Sequence, residues 1–265
     1  MKKFLLNKYT ISCFIVLVVL GVDIVLHKGM SRVMLPVTFT EQRSASAFET
    51  CKQPLISKDK KWIKGVNTRA QLQQIDSNTA GIEMDVYFDT VVNALFVYHD
   101  STNISALRIE SLLDLWTSKK MKGSLWLDFK NLSTLNKRSS LLYLSHIRDK
   151  YQLDNKMIIE ASNPVTLDVF CLEGFFTSYY VPYFNPYNMT QTELLSMVDE
   201  ISGLLAVNKV SALSGYYFQY PFLKKYFPEY PILTWTDQSA ISLVVNIFNN
   251  GLLSDTHVKA VLFPQ

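Results

Sequence analysis

Short apolar segments typical of strands alternate with longer amphipathic ones along most of the chain, and this order restricts the fold more than any other feature. The strand candidates are residues 62–67, 81–88, 94–99, 124–130, 156–161, 175–181, 210–217, 231–236 and 258–263. The helix candidates are residues 106–119, 137–151, 164–172, 190–208, 221–227 and 239–250. Such alternation predicts a mostly parallel sheet covered by helices, and eight or nine strands favour closure. We therefore predict an α/β protein with a short TIM (β/α)8 barrel over residues 61–265.

The early part of the barrel is expected to be irregular. Residues 89–93 join the second and third strand candidates, and so short a connection is typical of a hairpin rather than a helical crossover. Helix starts are clearer: Thr190 with Glu193 forms a capping-box pattern, and Pro164 after Asn163 suits a first helical turn.

The amino terminus has the character of a membrane anchor. Lys2, Lys3 and Lys8 precede residues 11–26, which are apolar apart from Ser12, Gly21 and Asp23. A helix over residues 9–27 would be roughly 28 Å long, enough for the hydrocarbon layer. We predict a cytoplasmic tail over 1–9, a transmembrane helix over 10–27 and a spacer over 28–60. The lysines then leave the barrel of a single-pass protein in the periplasm or outside the cell.

Cleavage of this segment is the alternative to retention. The Ala45-Ser46-Ala47 triplet resembles a signal-peptidase site but lies far beyond the apolar run, so we favour an uncleaved anchor. In the exported part only Cys51 and Cys171 remain, either as one disulfide or as two free thiols.

The charge pattern excludes one class of partner. The net charge of +3, from 26 basic and 23 acidic residues, is spread without a long block of one sign. The sequence therefore predicts no nucleic-acid binding.

Acidic side chains share a face on two strand candidates. Side chains alternate between the faces of a strand, so Glu83 and Asp85 point the same way, as do Asp128 and Lys130 on a later strand. The other face of that later strand is apolar, which places its polar face towards a cavity. Because buried carboxylates must be protonated, paired or bound to a cation, three of them on neighbouring strands indicate a divalent metal.

These residues resemble a known superfamily. A first strand, then Glu-x-Asp on a second, then His99-Asp100, then Asp128-Phe-Lys130 is similar to the glycerophosphodiester phosphodiesterase and phosphoinositide phospholipase C barrels. Residues 233–236 (LTWT) and 261–264 (VLFP) resemble that superfamily's last two strands. Residues 62–67 (WIKGVN) and 125–132 (LWLDFKNL) are closest to its menorin-like branch.

The resemblance implies roles for these positions. Glu83, Asp85 and Asp128 would be metal ligands, and hard oxygen donors suit Mg²⁺ or Ca²⁺, with Mn²⁺ as a further candidate. Lys130 would hold a fixed positive charge beside a phosphodiester or phospholipid-related ligand, and His99 would be the general acid or base.

The remaining predicted site residues would contact the substrate. These are Lys64, Asn67 and Asp100, of which Asp100 would also support His99.

One departure from the superfamily affects the expected activity. Its first strand normally ends in a second catalytic histidine, and this chain has Lys64 there, followed by Gly65. An ammonium with an ordinary pKa cannot accept a proton at pH 7. The sequence is therefore compatible with a phosphodiesterase or with an inactive barrel kept as a binding or assembly module. His27, His146 and His257 lie in segments that the resemblance does not place at the site.

Simpler interpretations compete with each assignment. Glu83 and Asp85 could lie on a solvated strand face, His99 could be a turn residue, and Lys130 could merely pair with Asp128. Asn67 and Thr68 could start a helix. A further interpretation, glycoside hydrolysis, is disfavoured because Glu83 and Asp85 share one strand rather than facing each other.

A group of tyrosines follows the late strands and could either line a pocket or pack internally. Its members are Tyr179, Tyr180, Tyr183, Tyr187, Tyr216, Tyr217 and Tyr220.

Overall fold

The computed structural model describes residues 8–34, 39, 48–99, 104–237 and 241–265. All nine predicted strands form within this part of the chain. They are β1 (Lys61–Ile63), β2 (Gly81–Asp89), β3 (Ala94–Val97), β4 (Ser124–Phe129), β5 (Met157–Ala161), β6 (Phe176–Tyr180), β7 (Ala212–Tyr216), β8 (Ile232–Trp235) and β9 (Val258–Phe263).

Eight of these strands close into a parallel barrel, in the order β1-β9-β8-β7-β6-β5-β4-β2, and β1 pairs with β2 to complete the ring. The remaining strand, β3, pairs antiparallel with the carboxyl-terminal half of β2 and lies outside the ring. The predicted barrel and its irregular early hairpin are thus confirmed.

Helices cover the barrel between successive strands. They are α3 (Arg69–Gln74), α4 (Ile109–Ser118), α5 (Lys137–Tyr151), α6 (Asp168–Leu172), α7 (Gln191–Val207), α8 (Tyr220–Tyr226) and α9 (Leu243–Ser254), with a 3₁₀ turn at Pro164–Thr166.

Local side chains set several of these boundaries. Thr190 and Glu193 form the predicted capping box at α7. Ser242 caps α9 by accepting a hydrogen bond from the Val245 amide. Because a cap must precede the helix, α9 begins later than the predicted residue 239.

The barrel floor is filled by two tryptophans. The rings of Trp62 and Trp126 meet edge to face with centroids 6.4 Å apart, and both residues are fully buried. Gly81 makes room for them, since a Cβ there would lie 2.3 Å from Trp62 Cδ2. The main apolar core lies between the sheet and the helices, and a smaller one surrounds α9 and β9.

The segment before the barrel is partly helical and is fastened to the domain. It contains α1 (Lys8–Leu26) and α2 (Lys28–Met34), the second of which lies in the predicted spacer. Cys51 and Cys171 form a disulfide, which decides between the two alternatives left open by the sequence.

The described residues include no single helix that is long and apolar enough to cross a membrane. Thr10–Leu26 and Lys28–Met34 meet the length and composition criteria together, but the chain bends by 93° between them. The predicted transmembrane helix therefore stays a prediction.

Candidate active site

Three acidic side chains converge at the carboxyl-terminal mouth of the barrel, the end at which TIM-barrel enzymes carry their sites. The cross-strand partner of Asp85 on β2 is Asp128 on β4. Glu83 lies two residues before Asp85 on the same face of β2, and therefore deeper in the barrel. Ligand oxygens of the three residues all lie within 4.8 Å of one another. The structure thus brings the three predicted metal ligands together, and the alternative of a solvated outer strand face is wrong for them.

Burial and mutual repulsion make this cluster electrostatically unfavourable when it is fully ionised. Burial, followed by the negative charges of Asp85 and Asp128, raises the pKa of Glu83 to about 8. The Gly65 amide, which donates a hydrogen bond of 2.6 Å to Glu83 Oε2, only partly opposes this shift. Burial also raises the pKa of Asp128. Such a cluster favours either protons or an added cation.

Lys130 is the fixed cation of this cluster. Its Nζ lies 2.7 Å from Asp85 Oδ1 and also contacts Asp128 Oδ2. Burial lowers the pKa of Lys130, but the two carboxylates together outweigh it and raise the pKa above its ordinary value. Lys130 therefore stays protonated and neutralises part of the acidic charge. The ion pair between Lys130 and Asp128 considered in the sequence analysis is present, and both residues also line the cavity.

Asn67 fixes the orientation of Asp85. Its side-chain amide donates to Asp85 Oδ2 at 2.5 Å, and its carbonyl oxygen accepts from the Asp85 amide at 2.9 Å. Thr68 caps α3 by accepting from the Gln71 amide. The helix start considered from the sequence is therefore present, and Asn67 additionally contacts the site.

Two further predicted residues line the same cavity, which has a volume of about 150 Å³. His99 reaches the mouth because the β2–β3 hairpin brings the chain back to the level of Asp85, where the Tyr98 amide donates to the Asp85 carbonyl. Lys64 follows β1, and its Nζ lies 5.6 Å from the centroid of the Trp235 ring. Asp100, the last predicted site residue, lies outside the described residues.

The sequence analysis missed Glu160 on β5. This residue is 2% exposed, lies beside Asp128 in the strand register, and lines the cavity. Its pKa is raised well above the ordinary value, first by burial and then by the charge of Asp128. The neighbouring Ser214 and Trp126 side chains oppose this shift only in part. The alternation that identified Glu83 could have revealed it, since Glu160 shares the inward face of β5 with Ile158.

An aromatic wall closes the side of the cavity opposite the acids. Tyr180, Tyr216 and Trp235 line it from β6, β7 and β8. The Trp235 ring packs edge to face against both tyrosines, at centroid distances of 5.3 and 4.8 Å. Both interpretations of the tyrosine group therefore apply to some of its members. Tyr180 and Tyr216 line a pocket, whereas Tyr179 is buried in the core between the sheet and the helices.

The residues present fit a divalent cation. Oxygen ligands on opposite sides of a Mg²⁺ or Ca²⁺ ion lie about 4–5 Å apart, and adjacent ones lie closer. The oxygens of Glu83, Asp85 and Asp128 meet this spacing. Burial and mutual repulsion raise the pKa values of Glu83, Asp128 and Glu160, and a bound cation would offset this cost of ionisation.

The sequence matches no family model and no curated protein. The structure is similar to that of a protein from Galdieria sulphuraria provisionally assigned as a glycerophosphodiester phosphodiesterase, with TM-score 0.53 and 12% identity over 80% of this chain and 95% of that one. A provisionally assigned glycerophosphoryl diester phosphodiesterase from Silicibacter pomeroyi gives TM-score 0.52 and 13% identity over 80% and 91%.

A glycerophosphodiester phosphodiesterase from Parabacteroides distasonis gives TM-score 0.51 and 15% identity over 78% of this chain and 93% of that one. Likeness at such low identity establishes the fold and leaves function to the site. The finer resemblance to the menorin-like branch stays a prediction. These three solved structures are of glycerophosphodiester phosphodiesterases, two of them provisionally assigned, and this chain shares their TIM-barrel fold.

Proposed function

We propose that this protein is a metal-dependent phosphodiesterase that acts on a glycerophosphodiester, a lipid headgroup or a polymer phosphodiester. The observation that carries the proposal is the shared cavity, in which three carboxylates within 4.8 Å of one another face two lysines and a histidine. Carboxylates suit a metal, and the lysines suit the phosphate that the metal would hold. A neutral sugar would not require Lys64 and Lys130.

Glu83, Asp85 and Asp128 would hold the cation, which supplies positive charge to the phosphate oxygens as the ester bond breaks. Lys130 adds a protonated ammonium at the same edge of the cavity, 2.7 Å from Asp85 Oδ1. In hydrolysis a water oxygen bonds to phosphorus as the P–O bond to the alcohol breaks. His99 donates a proton to the departing alkoxide oxygen, a role that an imidazole can fill near neutral pH, and the attacking water loses its proton to solvent. Asn67 holds Asp85 in one orientation, so that the ligand set is formed before substrate arrives.

The proposal is tested with the full-length protein in detergent. We expect hydrolysis of bis(p-nitrophenyl) phosphate and of glycerophosphodiesters with Mg²⁺, Ca²⁺ or Mn²⁺, and loss of hydrolysis in EDTA. His99→Gln should lower kcat by about 10²–10⁴, the usual contribution of one proton-transfer group. His146→Gln, on the exposed side of α5, is the matched control. Equal rates in the two variants would remove His99 from the mechanism.

A catalytically inactive barrel is the second candidate, and one observation favours it. Lys64 lines the cavity at the position where the superfamily normally has a second catalytic histidine. A binding or assembly module would show thermal stabilisation by the metal without turnover. Activity gained by Lys64→His would identify the missing proton acceptor.

We further propose that α1 anchors the protein in a membrane, with the amino terminus cytoplasmic and the barrel periplasmic or extracellular. Apolar side chains of α1 from Ile11 to Leu26 are mostly exposed, including Leu17 at 67% and Val25 at 70%. Such a surface requires a lipid or protein partner. The Cys51–Cys171 disulfide supports an oxidising compartment. Protease protection of the barrel in sealed vesicles, with the amino terminus accessible from outside them, tests the topology.

A further inference from the structure

The apolar helix α1 is attached to the barrel at its mouth. Asp23, near the end of α1, accepts a hydrogen bond of 3.0 Å from the Val244 amide in the first turn of α9. The side chains of His27 and Ser242 lie 3.3 Å apart. Because α9 follows β8, its first turn belongs to the carboxyl-terminal end of the barrel, where the acidic site lies.

The neighbouring helix α2 is held by two more loops of the same end. Arg32 donates to the Tyr187 carbonyl at 2.8 Å, in the loop between β6 and α7. Gly29 lies against Tyr217, in the loop after β7, so closely that a Cβ would be 2.8 Å from the tyrosine hydroxyl. Loops after three successive strands thus fix the amino-terminal helices beside the mouth.

The surface around this attachment is apolar. Ile241 is 99% exposed, and the half-exposed Leu243 follows it. A groove of about 300 Å³ separates these residues from Val19, Val22 and other side chains of α1. Tyr183 is also exposed, on the loop after β6. Its ring packs against Tyr216 of the aromatic wall at a centroid distance of 5.0 Å.

The opposite end of the barrel is different. Its loops expose charged residues, among them Lys122, Asp154, Lys209 and Glu229. Large apolar residues are exposed there at fewer positions, namely Ile56, Leu172 and Val207 among the described residues. Exposed apolar residues with aromatic rings at one end and charged groups at the other are the distribution expected of a protein that touches a lipid interface with one end.

We infer that the barrel rests mouth-first on the bilayer that holds α1, and that its substrate is a phosphodiester lipid resident in that bilayer. The substrate class rests on the proposed function. The phosphate would enter the acidic cavity from the interface, while Ile241, Leu243 and the groove beside α1 contact the acyl region. A lipid need not leave the membrane to reach a site held in this position.

The orientation is tested independently of turnover. In the full-length protein carrying Cys13→Ser, Ile241→Cys and Val207→Cys are each labelled with a nitrobenzoxadiazole fluorophore. Val207 is the matched control, because it is 81% exposed and lies at the charged end. In phosphatidylcholine vesicles containing nitroxide-labelled lipids, we expect strong quenching at position 241 and little at position 207. Equal quenching, or stronger quenching at position 207, would overturn the orientation.

The substrate class is tested by comparing two substrates of the same headgroup chemistry, soluble glycerophosphoglycerol and vesicle-embedded phosphatidylglycerol. In Ile241→Asp, the ratio of vesicle to soluble turnover should fall about tenfold, because a carboxylate replaces apolar contact with the bilayer. Val207→Asp should leave the ratio unchanged. An unchanged ratio in Ile241→Asp, or turnover of only the soluble substrate, would refute the lipid substrate. Absence of turnover with both substrates and with bis(p-nitrophenyl) phosphate would refute the phosphodiesterase itself, while the quenching result still decides the orientation.

Discussion

The stability of the metal-free protein should fall as the pH rises, because Glu83 must ionise inside the acidic cluster. The pKa of this carboxyl is about 8 in the fold against 4.5 for an ordinary glutamate. The folded state therefore binds more protons than the unfolded state between these two values, and the stabilisation present below pH 4.5 is lost by about pH 8. Each tenfold change in proton affinity corresponds to about 1.4 kcal/mol, so the loss from Glu83 alone approaches about 5 kcal/mol.

The assay is urea unfolding of the full-length protein in detergent with EDTA, from pH 5 to pH 8.5, followed by tryptophan fluorescence. Trp126 is a suitable probe, because it is the cross-strand partner of Glu83 and fully buried. Glu83→Gln should remove several kcal/mol of this pH dependence, whereas Glu200→Gln, on the exposed side of α7, should not. Saturating Mg²⁺ should restore stability most at pH 8, where the ionised carboxyl is the ligand. The reasoning would be refuted by equal pH dependence in wild type and Glu83→Gln.

Two further predictions concern the scaffold of the site. Gly81→Ala should destabilise the protein by about 3 kcal/mol in urea unfolding, because the new methyl group would collide with the buried Trp62 ring. Gly203→Ala, in an open position of α7, should instead stabilise it by about 0.5–1 kcal/mol, and the same sign for both variants would contradict the packing. Reduction of the Cys51–Cys171 bridge, whose partners are 120 residues apart, should lower the free energy of unfolding by about 2–5 kcal/mol. An unchanged midpoint after reduction would show that the preceding segment does not contribute to the fold.

The barrel and the acidic cluster were predictable because both follow from short-range regularities. Strand alternation placed Glu83 and Asp85 on one face, and the parallel register of β2 with β4 then brought Asp128 beside them. Glu160 was missed because it is a lone acid in an apolar strand. Alternation places it on the same face as Ile158, and the closed ring then brings that face to the cavity.

Other features depended on contacts between distant segments. Nothing in the local pattern of Asp23 indicates that it accepts a hydrogen bond from the start of α9, more than 200 residues later. The helix α2 was likewise assigned to a spacer, because it has few apolar residues and no helical pattern of them. Its packing depends on a distant contact, the burial of Met30 against α9 and β9. The position of α1 beside the mouth could therefore be recognised only in three dimensions.

The most direct test of the central claim is a titration of the purified full-length protein with Mn²⁺, followed by electron paramagnetic resonance of the free ion. The account predicts one bound Mn²⁺ per chain, lost in Asp85→Asn and retained in Asp199→Asn, which changes an exposed carboxylate of α7. Mg²⁺ or Ca²⁺ should displace the bound Mn²⁺, because the same carboxylates would hold each of these ions. Equal Mn²⁺ binding by both variants, or none by the wild-type protein, would contradict a metal site formed by the carboxylates at the barrel mouth.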